Sequence, residues 1–128
     1  MRFLLDTHTF IWFVTDSPRL STTAKVLIED ESNEKWLSVA NVWEIAIKQS
    51  IGKLTLDAPL QLFVEQQMQQ NSMDLLSVQI QHLAVVATLP LHHRDPFDRL
   101  LIAQSLVEQV AIVGGDSVFD AYSIQRFW

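Results

Sequence analysis

Phe3-Leu4-Leu5-Asp6-Thr7 is the stretch that decides how this chain folds. Three large apolar residues in a row, stopped by an acid, read as a short strand buried on both faces. A helix follows at once, and Asp6 or Thr7 can cap its first turn through Val14. The same pattern recurs downstream. Trp36-Leu37-Ser38-Val39 reads as a second strand, and a helix from about Ala40 to Ile51 is stopped by Gly52. Ala111-Ile112-Val113 reads as a third strand, bounded by Gly114-Gly115. Ser21 opens a helix to about Glu31, Ala58-Pro59 another to about Gln70, and Ser77 or Gln79 a third that ends before Leu89-Pro90. Asp95-Pro96 supplies an N-cap and a first helical proline for a helix to about Gln109. Asp74-Leu75-Leu76 is a short extended piece; a short helix from Ser117 and an extended stretch over Ser123 to Trp128 close the pattern. Strands alternating with helices predict an α/β fold with a short parallel sheet and helices on both faces.

At 128 residues, with 48% hydrophobic content, residues 1–128 are expected to form one domain with its own core. The absence of cysteine excludes disulfides and thiolate metal sites. Met1 to Leu5 reach an acid at Asp6 too soon for a secretory leader, and no apolar run approaches the roughly 20 residues of a membrane span. A cytoplasmic protein without a membrane segment is expected. A net charge of −6 argues against holding nucleic acid by bulk electrostatics, so any such substrate needs local basic residues and a metal.

Four acids sit in or beside apolar segments: Asp6, Glu44, Asp98 and Asp116. A buried carboxylate is costly unless paired or bound to metal. Asp6 and Asp116 follow predicted strands, and open α/β sheets gather function at the carboxyl ends of their strands. Each acid also has a plain structural reading. Glu44 can pair with Lys48 one turn on, Asp98 can serve the start of its helix, and Asp6 and Asp116 can be N-caps. Asp120 reads as a surface acid, and His92 and His93 as loop residues, while His8 either faces the acids or sits on the first helix. Trp12, Phe13, Trp36 and Trp43 read as core, with Trp12-Phe13 open as a partner surface. Lys48, Arg94 and Arg99 flank the acids and are candidates for phosphate contacts. If the four acids converge, they form an all-oxygen cation site suited to phosphate chemistry. Carboxylates about 4 Å apart would oppose each other by about 4 kcal/mol, so some should hold protons unusually tightly without metal.

Four segments carry a resemblance. They are Leu4-Leu5-Asp6-Thr7-His8, Val42-Trp43-Glu44-Ile45-Ala46-Ile47-Lys48 with Ile51-Gly52-Lys53-Leu54, His92-His93-Arg94-Asp95-Pro96-Phe97-Asp98-Arg99-Leu100-Leu101-Ile102-Ala103-Gln104, and Gly115-Asp116-Ser117-Val118-Phe119-Asp120-Ala121-Tyr122. In this order, over essentially the full length, the chain resembles PIN-domain proteins, specifically VapC-like ribonuclease toxins of type II toxin–antitoxin pairs. The resemblance implies a Rossmann-like PIN fold and a catalytic, metal-binding site at Asp6, Glu44, Asp98 and Asp116. It also implies RNA as substrate, a cognate antitoxin covering the pocket, and a homodimer. Two departures stand out. The family often has Thr or Ser two residues before the last acid, where this chain has Gly114, and a small hydroxyl residue three before the Glu, where it has Asn41.

The expected activity is magnesium- or manganese-dependent hydrolysis of RNA phosphodiester bonds, with Asp6 and Asp98 as direct ligands. Glu44 and Asp116 would act through water or at a second ion. A phosphotransferase with an aspartyl nucleophile is a rival, but that chemistry commonly has a second Asp where His8 stands. A non-catalytic module that binds a partner or a nucleic-acid backbone is the other rival, kept open by Gly114.

Overall fold

A computed structural model describes all 128 residues, Met1–Trp128. In chain order the elements are β1 (Arg2–Leu5), α1 (Thr7–Val14), α2 (Thr22–Glu29), β2 (Glu34–Ser38), α3 (Val39–Ser50), α4 (Leu60–Gln70), β3 (Met73–Leu76), α5 (Ile80–Thr88), α6 (Pro96–Glu108), β4 (Ala111–Val113), a 3₁₀ turn (Ser117–Ala121) and β5 (Arg126–Phe127). All five strands are parallel, in the order β3-β2-β1-β4-β5. The two segments read only as extended pieces, at Asp74 and at the terminus, are the edge strands of this sheet.

The run of apolar residues in β1 is explained by its central position. Phe3 and Leu5 join one apolar cluster with Phe10, Ala24, Ile28, Leu37, Ile45, Val64, Ala111 and Val113. Leu4 points the other way, into a second cluster with Leu101, Ile102, Ile112, Phe119 and Tyr122. Successive strand residues face opposite sides, so helices α1 to α4 cover one face and α6 with the 3₁₀ turn the other. Phe3, Leu4 and Leu5 have no solvent exposure, and each buried side chain contributes about 1.5–3 kcal/mol.

Chain order fixes where a site can lie. The chain builds outward from β1 to β2 and β3, then returns to place β4 on the other flank of β1. The crevice at the carboxyl ends of β1 and β4 is the topological switch point of the sheet. The Asp6 amide and the Thr9 hydroxyl both donate to the Val113 carbonyl, at 3.0 and 2.9 Å, closing the two strand ends together.

Packing departs from expectation at Trp12, which joins neither apolar cluster, and at Trp43. Trp43 is 58% exposed rather than in the core, with its ring edge-on to Phe97 at 5.0 Å between centroids. The apolar residues of α3 nearly encircle the helix, and only the side carrying Ile45 meets the sheet. No helix is long and apolar enough to cross a membrane.

Candidate active site

Asp6 stands at the N-cap position of α1, yet its side chain makes no capping hydrogen bond. It is buried, 7% exposed, and its carboxylate lies 4.0 Å from the His8 ring. Its pKa is pushed up to about 7, first by burial and then by the charge of Glu44; the Thr7 amide pulls the other way, and Asp116 adds a lesser push. Asp98 lies in the first turn of α6. Its pKa also rises to about 7, through burial and then the charges of Asp95 and Asp6. Electrostatic coupling therefore links Asp6 to each of the other three acids. Loss of water, more than mutual repulsion, is what holds these protons.

Each of the remaining acids has a partner. Glu44 pairs with Lys48 at 3.1 Å, but on a largely shielded helix face rather than a solvated strip. Lys48 Nζ also lies 3.3 Å from His8 Nε2, which sets His8 at the edge of the acids; burial, then Lys48, lower the His8 pKa. Asp116 accepts from the Val118 amide at 3.0 Å and caps the 3₁₀ turn. Asp95 caps α6, accepting from the Phe97 and Asp98 amides at 2.9 and 3.2 Å, which frees the Asp98 carboxylate for another partner.

That partner is His93, a residue the sequence reading left in a loop. Its Nε2 is 3.3 Å from Asp98 Oδ2, and its Nδ1 is 2.7 Å from the Tyr122 hydroxyl. Arg99 Nη1 donates to the same hydroxyl at 3.2 Å. The donors and acceptors balance in one sense: Arg99 donates to Tyr122, Tyr122 to His93, and His93 to Asp98. Arg99 is placed differently from its expected role as a phosphate contact. It is buried, and its guanidinium also donates to the Leu89 and Pro90 carbonyls at 3.1 and 2.8 Å. Three of its five N–H donors are spent inside the protein and the group is buried, so it does not present its fork to a substrate. Arg94 is exposed. With Glu44, Lys48 and Lys53 it lines a cleft of about 480 Å³ on the α3 side of the acids.

The Asn41 departure has a structural account. Asn41 is 3% exposed; its Oδ1 accepts from the Ser38 amide at 2.8 Å and its Nδ2 donates to the Thr7 hydroxyl at 2.9 Å. The Ser38 hydroxyl donates to Gln104 Oε1 and accepts from the Ala40 amide, and Gln104 Nε2 donates to the Ser77 carbonyl. This buried network ties the carboxyl ends of β1, β2 and β3 to α6. Gly114 is accounted for as well. A Cβ there would lie 3.0 Å from Asp6 Cβ and 3.3 Å from Phe119, so β4 packs against Asp6 with no room to spare. The only sequence sign of the network is three polar residues, Ser38, Asn41 and Gln104, inside apolar segments.

As they lie, no three acids or histidines are grouped closely enough to hold one metal ion. The donor set nonetheless fits a hard cation. It is all carboxylate oxygen, and Asp6 is a buried acid whose side chain makes no capping hydrogen bond. Magnesium keeps several of its waters and needs only one or two carboxylates.

The sequence matches the PIN domain family over residues 3–124. This chain belongs to the PIN domain family. Its structure is similar to VapBC2 from Rickettsia felis bound to a promoter DNA fragment, with a TM-score of 0.73 at 12% identity, covering 99% of this chain and 98% of that one. It is also similar to FitAcB from Neisseria gonorrhoeae, with a TM-score of 0.68 at 17% identity, covering 98% and 96%. A FitAB structure bound to an IR36 DNA fragment gives 0.65 at 17% identity, covering 98% and 93%. No curated protein matches the sequence.

Proposed function

We propose that this chain is a divalent-metal-dependent ribonuclease, the toxin of a type II toxin–antitoxin pair. The observation that carries the reading is Asp6, a buried carboxylate at the switch point, left without a capping hydrogen bond and coupled electrostatically to three more acids. A fold that tolerates so costly a group gains from a cation that relieves it. Asp6 and Asp98 would hold magnesium or manganese, with Glu44 and Asp116 joining through water. When bound, the ion would supply Lewis-acid stabilisation of the scissile phosphate and lower the pKa of the attacking water.

The chain's own residues have distinct tasks. His93, held by Tyr122, keeps Asp98 aimed and hydrogen-bonded. Lys48 and Arg94 offer positive charge to the RNA backbone in the α3-side cleft, while Lys48 restrains Glu44. Asn41 and Thr7 fix the start of α1, and with it the backbone that carries Asp6. The likeness to VapBC2 and FitAB, both solved with DNA, joins the motif resemblance in supporting an antitoxin partner. A homodimer goes with the same reading, and sedimentation of the purified chain tests it.

The deciding experiment incubates purified protein with structured RNA in magnesium, manganese or EDTA. Cleavage that depends on the cation and disappears in Asp6→Asn is expected, and cleavage that persists in EDTA refutes the mechanism. One observation favours a second reading as a non-catalytic binding module: no three potential ligands are already grouped. Such a module would bind RNA or a partner without any metal-dependent turnover.

A further inference from the structure

Beside Asp6 and Asp116 lies a cleft of about 360 Å³, lined also by His8, Trp12, Arg19 and Trp128, with Gly115 at its wall. Its aromatic rings lie in a tilted series: His8 to Trp12 is 5.4 Å between centroids at 31°, and Trp12 to Trp128 is 5.9 Å at 54°. Trp128 packs on the edge of the main apolar cluster, but Trp12 does not. Trp12, half-buried, packs against neither apolar cluster, although Ile11 and Phe13 beside it do. Trp128 has a seat made for it. A Cβ on Gly115 would fall 2.9 Å from the indole, so only glycine there lets the ring lie over the backbone next to Asp116. Arg19 is exposed, and its guanidinium makes no ion pair or hydrogen bond in the chain.

We propose that this cleft is a nucleobase subsite, in which an unpaired base flanking the scissile phosphate stacks on Trp12 and Trp128 while Arg19 meets the adjoining phosphate. The inference rests on the ribonuclease reading and deepens it by naming the residues that would hold a base beside the scissile phosphate. Sequence-tolerant recognition of such bases relies on aromatic faces and nearby cations. Arg19 gives the cleft a guanidinium to meet a phosphate, set apart from the two acids that would face the metal. With a net charge of −6 on the chain, attraction for RNA has to come from such isolated cations.

The test measures fluorescence anisotropy of a short labelled single-stranded RNA, an abasic strand of the same length, and the matching duplex. Calcium replaces magnesium, and RNA integrity is checked on gels. Wild type is compared with Trp12→Leu, Trp128→Leu and the stacking-competent Trp12→Phe and Trp128→Phe. The Leu variants should bind the single strand about 5- to 150-fold more weakly, the loss of one stacked base. The Phe variants should recover most of that loss, and abasic RNA should bind all five proteins alike. Binding of the single strand unchanged in both Leu variants, or wild type that does not prefer it to the abasic strand, overturns the proposal; this includes the case where the same face captures an antitoxin peptide instead. Because binding is read without turnover, absence of metal-dependent cleavage would defeat the ribonuclease reading while leaving this result legible on its own.

Discussion

Replacing Asp6 with Asn should stabilise the metal-free protein while abolishing its response to metal. The folded pKa of about 7 against an ordinary 3.8 means that the fold prefers the protonated acid. Where the folded state binds more protons than the unfolded, stability falls as pH rises. For Asp6 the loss runs from about pH 4 to about pH 7 and then levels off. At about 1.4 kcal/mol per tenfold change in proton affinity, the full cost of ionising Asp6 comes to a little over about 4 kcal/mol, an upper bound because the coupled acids share it. Roughly 3 kcal/mol of that accrues between pH 5 and pH 8. Asn is neutral and nearly isosteric, so it escapes the cost. Thermal unfolding in EDTA should then show the Asp6→Asn variant melting above wild type at pH 8, at about 3–5 °C per kcal/mol for a chain of this size. The gap should narrow at pH 5. Magnesium should raise the wild-type melting temperature at pH 8, where the carboxylate must ionise to bind it, and leave the variant unmoved. Equal melting of the two proteins across this range, or equal stabilisation by magnesium, would refute the assignment of Asp6 as a strained, metal-seeking carboxylate.

His93→Ala should lower RNA cleavage about 10–100-fold, as loss of a hydrogen-bond partner behind a metal ligand typically does, with little change in RNA affinity; unchanged turnover would remove His93 from the site. Asn41→Ala strands the Ser38 amide and the Thr7 hydroxyl and should cost about 1–3 kcal/mol per buried group left unpaired, read by urea unfolding at constant m-value. Arg99→Leu should reduce stability because it strips the Tyr122 hydroxyl and the Leu89 and Pro90 carbonyls of their donor. Arg94→Ala should leave stability alone and weaken RNA binding, with a shallower salt dependence. If the Arg94 and Arg99 phenotypes exchange, the division between substrate-facing and structural arginine is wrong.

The amino-acid sequence by itself determined the parallel α/β architecture. Unbroken apolar runs such as Phe3-Leu4-Leu5 have no stable place except a strand covered on both faces, and caps such as Ser21 and Asp95 mark helix starts through local hydrogen bonds. It also singled out Asp6, Glu44, Asp98 and Asp116, because an acid among apolar residues stands out without any knowledge of its neighbours. What each acid faces was decided only in three dimensions. The His93–Tyr122 bond spans 29 positions, the Ser38–Gln104 bond 66 and the Thr9–Val113 bond 104. Trp43 and Arg99 show the same limit from the other side: one apolar residue is exposed and one charged residue is buried. Residue type indicates the cost of burial, but the crossover from β3 back to β4 decides which side chains are covered and which partners they find.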